Sequence, residues 1–210
     1  MTHRIPPPAP PLRRWQHAAL AEWMADRPRD YLMVATPGAG KTTFALTLAA
    51  ELLAARHVRA ITVVAPTEHL KQQWADAATR LGVRLDPRFT NAQGARGQAS
   101  DGVVVTYAQV ASPPMLHRAR TENRKTLVIL DEVHHAGDAM SWGEGVREAF
   151  QPATRRLALT GTPFRSDINP IPFVTYAPGA DGIPRSLADF TYGYEHALAD
   201  HVVRPVLFLA

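Results

Sequence analysis

ATPGAGKTT, residues 35–43, is the stretch whose reading decides the fold of this chain. The apolar run YLMVA at 31–35 enters it as a strand, and a helical pattern over 41–56 leaves it. Between the two, Gly38 and Gly40 lack a Cβ, so backbone N–H groups can turn inward where a side chain would block them. Pro37, Gly38, Ala39 and Gly40 thus form a concave run of amides ahead of a helix N-terminus, an arrangement that favours phosphate oxygens. Lys41 can reach a β- or γ-phosphate, the Thr42 hydroxyl can ligate Mg²⁺, and Thr43 continues the first turn. Ala35 occupies the position where the usual pattern begins with glycine, while the Gly-Ala-Gly-Lys-Thr core is intact.

Two further runs have the same strand-then-motif form. DEVHH at 131–135 follows TLVIL, and LTGTP at 159–163 closes the run RRLALT. A carboxylate at the tip of a buried strand is costly as mere structure, but Asp131 can hold Mg²⁺, directly or through water, if its strand lies beside the phosphate loop. Glu132 is then the natural base or water-orienting group for attack on a γ-phosphate, so the catalytic candidates are Lys41, Asp131 and Glu132. The neighbouring His134, His135 and Asp138 do not make a convincing zinc site, because adjacent residues of an extended segment point apart and the chain has no cysteine.

Outward from these motifs, strands are predicted at 31–35, 60–65, 102–106, 126–130 and 155–160, with helices over 13–26, 41–56, 67–80 and 141–150. Strands that are apolar without polar alternation are buried on both faces, which predicts an α/β fold with a parallel sheet and helices on both sides. Residues 1–11 carry five prolines and read as a Pro-rich, disordered lead-in. The 210 residues, 46% of them hydrophobic, are ample for a packed core without disulfides. No run approaches the roughly 18 apolar residues that span a bilayer, and the start has no apolar leader, so a soluble, cytoplasmic protein with no membrane partner is expected. A net charge of +4 permits a polyanion partner without requiring one.

Taken in order, Gly-Ala-Gly-Lys-Thr, Asp-Glu-Val-His and Thr-Gly-Thr-Pro resemble motifs I, II and III of superfamily 2 helicases of the DEAD/DEAH-like group with a DExH box. LTGTPFRSD is similar to the restriction-subunit and repair-helicase branch. The resemblance implies a RecA-like P-loop NTPase domain that binds ATP and Mg²⁺ and couples hydrolysis to movement on nucleic acid, DNA ahead of RNA. LRRWQ at 12–16 resembles the adenine-recognition motif, which implies that Gln16 bonds the adenine edge and Arg13 packs on the base. APTEHLKQQW at 65–74 resembles motif Ia and VTYAQV at 105–110 motif Ib, implying nucleic-acid contacts at Pro66, Thr67, Thr106 and Tyr107. On the residues alone, Thr67 reads equally as a helix cap and Tyr107 as a packed side chain. Motif III implies coupling through Thr160 and Thr162, with His134 as their partner.

The domain expected is 12–167, with 168–210 a C-terminal extension or linker toward a second RecA-like domain in cis or trans, in which the apolar run RPVLFLA reads as one last strand. Arg165 and Arg185 lie in no segment resembling an arginine-finger motif. Lack of such a finger costs about 10³–10⁵ in turnover, so weak hydrolysis is expected of these residues by themselves. A non-catalytic ATP- or nucleic-acid-binding fragment is the alternative. A phosphate-loop kinase or transporter ATPase fits less well, since those lack Thr-Gly-Thr-Pro after the acidic strand.

Overall fold

The computed structural model describes residues 11–95, 100–137, 140–161, 170–179 and 183–204. Along the chain run α1 (Arg14–Asp26), β1 (Asp30–Ala35), α2 (Lys41–Ala54), β2 (Ala60–Ala65), α3 (Glu68–Thr79), β3 (Leu85–Asp86), β4 (Gly102–Thr106), α4 (Tyr107–Ala111), α5 (Pro114–Glu122) and β5 (Thr126–Leu130). After these come α6 (Met140–Phe150), β6 (Arg155–Thr160), β7 (Tyr176–Pro178), β8 (Pro184–Ser186), β9 (Phe190–Tyr192) and α7 (Tyr194–Ala199). The five strands expected from apolar runs are β1, β2, β4, β5 and β6, each within one residue of its expected bounds.

Seven strands form one sheet in the order β3-β4-β2-β5-β6-β1-β9, and every pairing in it is parallel. β7 and β8 form a separate antiparallel pair. Successive residues of each strand feed opposite faces. Tyr31, Met33 and Ala35 of β1 join a core made with α1, α2, α3 and α7, where Trp15, Phe44, Leu48, Trp74 and Ala197 are buried. Leu32 and Val34 face a second core that includes Tyr107, Val110, Val146 and Phe150 from α4 and α6. Burial on both faces accounts for the unbroken apolar strands. At about 25 cal/mol per Å² of apolar surface removed from water, two such layers supply the main drive to fold.

Because the strands are parallel, their C-terminal ends lie along one edge. Val34 is in register with Thr160, Leu130 with Ala158, Val64 with Leu130, and Ala65 with Thr106. All the motif residues that follow β1, β2, β4, β5 and β6 therefore open onto the same side, where ligands bind in sheets of this kind. One sequence expectation is corrected. β1 and β5 are not neighbours, since β6 lies between them, so Asp131 reaches the phosphate loop across a strand rather than from beside it. Within residues 168–210, β9 extends the main sheet beyond β1, and Tyr192 is buried in the core. The run RPVLFLA, expected as a last strand, falls at 204–210, outside the described residues except for Arg204.

Candidate active site

The phosphate loop is built by backbone geometry. Gly38 and Gly40 adopt φ of 77° and 99°, left-handed values that an L side chain resists. Gly40 has a second reason to be glycine: a Cβ there would lie 2.7 Å from Gln16 Nε2. Pro37 and Gly38 are exposed, Ala39 is buried, and Thr42 and Thr43 are half-buried in the first turn of α2. Lys41, buried to 9% exposure, donates to the Ala35 carbonyl at 3.0 Å and pairs with Glu132 Oε1 at 3.2 Å. The Gly161 amide donates to Glu132 Oε2 at 3.2 Å. Residues from three motifs, the most distant separated by 120 positions of sequence, thus meet at one carboxylate (41 to 161). Glu132 is itself held at φ 44°, a strained setting for a non-glycine residue at a strand tip, and one that turns its side chain back toward Lys41.

Asp131 is buried, and its Oδ2 accepts from Trp74 Nε1 at 2.8 Å. Burial pushes its carboxyl above the ordinary carboxylate range, with the Glu132 charge adding to the rise and the Trp74 hydrogen bond and the Lys41 charge opposing it. The carboxylate of Asp131 and the hydroxyl of Thr42 are hard oxygen donors, a set that suits Mg²⁺ retaining several waters. His134 Nδ1 lies 3.2 Å from Thr160 Oγ1 and 3.7 Å from Glu132 Oε2, so the expected His134–Thr160 contact is present; Thr162 lies outside the described residues. His134 and His135 sit on a 3-10 turn at 133–137 with ring centroids 4.6 Å apart, not on the extended segment expected.

Gln16, expected at the adenine edge, bonds the phosphate loop in this structure. Its amide is committed to protein at both ends: Oε1 accepts the Arg13 N–H at 2.7 Å, and Nε2 donates to the Gly40 carbonyl at 2.8 Å. The start of α1 needs an acceptor for an orphan N–H, and Gln16 supplies it while bracing the phosphate loop. Arg13 reaches the same loop, donating to the Gly38 and Ala39 carbonyls at 3.2 and 2.7 Å. Beside it opens a cavity of about 400 Å³ lined by Arg13, Arg14, Asp200, His201 and Val202. Sequence reading missed the last three. Their only signal was an aromatic segment, TYGYEH, whose Tyr192 stacks on Trp15 at 4.9 Å and donates to Asp200 at 2.9 Å.

The residues expected at nucleic acid divide. Pro66 is half-buried and Thr67 exposed, at the start of α3, and the Thr67 side chain makes no cap bond. Thr106 is buried and caps α4, its Oγ1 accepting from Gln109 N at 3.2 Å. Tyr107 is fully buried, donates to the Asp131 carbonyl at 2.9 Å and stacks against Trp142, so its ring offers no surface to a strand.

Residues 9–165 match the family model described as type III restriction enzyme, res subunit. The chain belongs to that family. It has the RecA-like α/β fold found in superfamily 2 helicases. Among solved structures it is similar to the Sulfolobus solfataricus SWI2/SNF2 ATPase core in complex with dsDNA, at TM-score 0.60 and 17% identity over 77% of this chain and 34% of that one. It is also similar to the ATP-dependent type ISP restriction-modification enzyme LlaBIII bound to DNA, at TM-score 0.64 and 15% identity over 92% of this chain and 16% of that one. An uncharacterized protein of Mycobacterium tuberculosis strain H37Rv is 64% identical over 201 residues, 96% of this chain. One of Mycobacterium leprae is 60% identical over 199 residues, 95% of this chain. The chain spans about a third of the length of these curated relatives, 33% of each. Among the described residues, no helix is long and apolar enough to cross a membrane.

Proposed function

We propose that this chain is the first motor half of an ATP-dependent helicase or translocase acting on nucleic acid, DNA before RNA. The observation that carries the reading is the convergence of Lys41, Glu132 and the Gly161 amide within 3.2 Å on one sheet edge. Arg13 and Gln16, with the cavity beside them, would seat the base, while Pro37, Gly38, Ala39, Gly40, Lys41, Thr42 and Thr43 would receive the phosphates. Mg²⁺ at Thr42 and Asp131 would neutralise charge on the phosphate oxygens. Phosphate oxygens reaching Lys41 compete with Glu132 for its ammonium, and the released carboxylate is then free to orient a water and take its proton. His134 and Thr160 would pass that change in Glu132 along the sheet edge, with Thr162 as a further candidate. Pro66 and Thr67 are the contacts proposed for the nucleic-acid backbone, through an exposed hydroxyl and a helix N-terminus. Thr106 acts behind them as a cap. A second RecA-like domain, in cis or trans, is proposed to supply an arginine to the same phosphates. The DNA named with the SWI2/SNF2 core and LlaBIII supports the choice of partner.

The test is ATP hydrolysis by the full-length chain, with and without DNA or RNA, alongside Glu132→Gln. Polynucleotide-stimulated turnover that disappears in Glu132→Gln while nucleotide binding persists is the expected result. Binding without turnover in both proteins refutes the motor reading and favours a binding module. Turnover indifferent to every polynucleotide points to a different class of phosphate-loop ATPase.

A further inference from the structure

Asp131 is fixed from both faces of the sheet. On one face Trp74, buried to 2% exposure on α3, holds its carboxylate at 2.8 Å; on the other the Tyr107 hydroxyl holds its carbonyl at 2.9 Å. Both partners belong to helices whose first turns stand at the same edge as the phosphate loop. Trp74 lies seven residues after Thr67, two turns along α3, so its indole projects from the helix that Thr67 begins. Tyr107 is the first residue of α4, directly after the capping Thr106.

The two helices are also joined to each other. The Lys71 ammonium, on the buried face of α3, is 3.4 Å from Gln109 Oε1 on α4 and 3.2 Å from Glu68 Oε2 in the first turn of α3. The same Gln109 amide donates through Nε2 to the Phe89 carbonyl at 3.0 Å, which fixes the side chain that meets Lys71. α3, α4 and Asp131 therefore form a closed set of contacts. A shift of either helix along its axis must stretch the Trp74 or Tyr107 bond or carry Asp131 with it, since both bonds start from rings packed in the core.

We propose that Trp74 and Tyr107 are positioning residues that tie Asp131 to α3 and α4, so that nucleic acid on the first turn of α3 is read out as affinity of the metal site. The proposal rests on the motor reading above. It describes a route separate from His134 and Thr160, because it enters Asp131 from the helices and does not pass through Glu132. Neither ring touches the substrate. Outer partners of metal-binding carboxylates are worth about 10- to 100-fold in metal affinity, so removing one N–H is expected to be measurable.

The experiment titrates Mg²⁺ against binding of a fluorescent ATP analogue to the full-length chain, with and without a DNA duplex, in the unsubstituted protein, Trp74→Phe and Tyr107→Phe. Each variant keeps an aromatic ring and removes one donor. In the unsubstituted protein, DNA is expected to lower the Mg²⁺ concentration at half-maximal binding several-fold. Trp74→Phe is expected to raise that concentration about tenfold and to abolish the DNA effect. Tyr107→Phe is expected to weaken the DNA effect. An unsubstituted protein whose Mg²⁺ requirement ignores DNA overturns the proposal, as does a Trp74→Phe variant that keeps the full DNA response. An unsubstituted protein that binds no nucleotide at any Mg²⁺ concentration sinks the motor reading itself, which is a different outcome. Should Trp74→Phe fail to fold, the Trp74 indole N–H resonance of the unsubstituted chain gives the answer. Its displacement by DNA in the absence of nucleotide is expected, and a resonance that stays put overturns the coupling.

Discussion

Gly40 carries two separable burdens, and alanine substitutions can weigh each of them. At Gly38, with φ 77° and nothing within 4 Å of a Cβ, alanine meets only left-handed strain of about 1–2 kcal/mol. At Gly40, with φ 99°, the same strain is joined by a Cβ 2.7 Å from Gln16 Nε2. Gln16 is 2% exposed and has bonds of 2.7 and 2.8 Å to give up, so displacing it adds about 1–3 kcal/mol of unsatisfied polar cost. Gly40→Ala is therefore expected to lose about 2–5 kcal/mol and Gly38→Ala about 1–2. In a chain of this size each kcal/mol lowers Tm by about 2–4 °C, a difference that urea and thermal unfolding both resolve. The decisive assay is the double-mutant cycle with Gln16→Ala. If the clash is real, Gly40→Ala made on the Gln16→Ala background costs no more than Gly38→Ala, and the cycle shows a coupling of about 1–3 kcal/mol. Additive losses across the cycle refute the reasoning, because they leave Gln16 no part in the requirement for glycine.

His117 is buried between the Asn91 side chain and the Gln109 carbonyl, and burial lowers its pKa from 6.5 to about 4. The unfolded chain then binds the extra proton first, so stability should fall as pH drops from 6.5 toward 4, by at most about 3 kcal/mol; His117→Gln should flatten that part of the urea-unfolding profile relative to the parent. Arg156 forks onto Asp30, donates to the Phe150 and Gln151 carbonyls at 2.9 and 3.0 Å and covers the Phe173 ring at 3.9 Å. Lysine cannot reproduce that fork, and Arg156→Lys should cost about 2 kcal/mol of unfolding free energy with nucleotide affinity unchanged. Thr106→Ala should lose about 1 kcal/mol with its cap, whereas Thr67→Ala, which loses no cap bond, should stay within about 0.5 kcal/mol and weaken DNA binding in a fluorescence-anisotropy titration.

Long apolar runs make most of the sheet legible in the amino-acid sequence. β1, β2, β4, β5 and β6 each carry five or six residues with no polar alternation, because two helical layers bury them, and burial of that kind leaves its mark in composition. β9 leaves no such mark: three residues, FTY, at a sheet edge bury too little to show. α4 and α5 hide behind Pro113 and Pro114, since proline reads as a break although Pro114 opens α5. The candidate phosphate loop is legible because glycine, lysine and threonine at fixed spacing have few other uses. Gln16 and Tyr107 are placed by motif likeness alone, and likeness does not say which way a side chain turns. Both turn inward, one onto the Gly40 carbonyl and the other under Asp131. The strained backbone of Glu132 and the Trp74 contact depend on distances across the fold that local sequence does not encode.

The sheet order has a temporal consequence. Among the described residues β1 pairs only with β6 and β9, and its bond partner Arg156 lies 126 residues downstream of Asp30. During synthesis the strand that carries the phosphate loop emerges early and waits, while β2, β4 and β5 can already pair among themselves. Contacts of such high sequence separation close late and slowly. The pocket is thus among the last parts of the molecule to exist. The edge where β1 and β6 end side by side therefore exists only once residues 155–160 have been made and have paired.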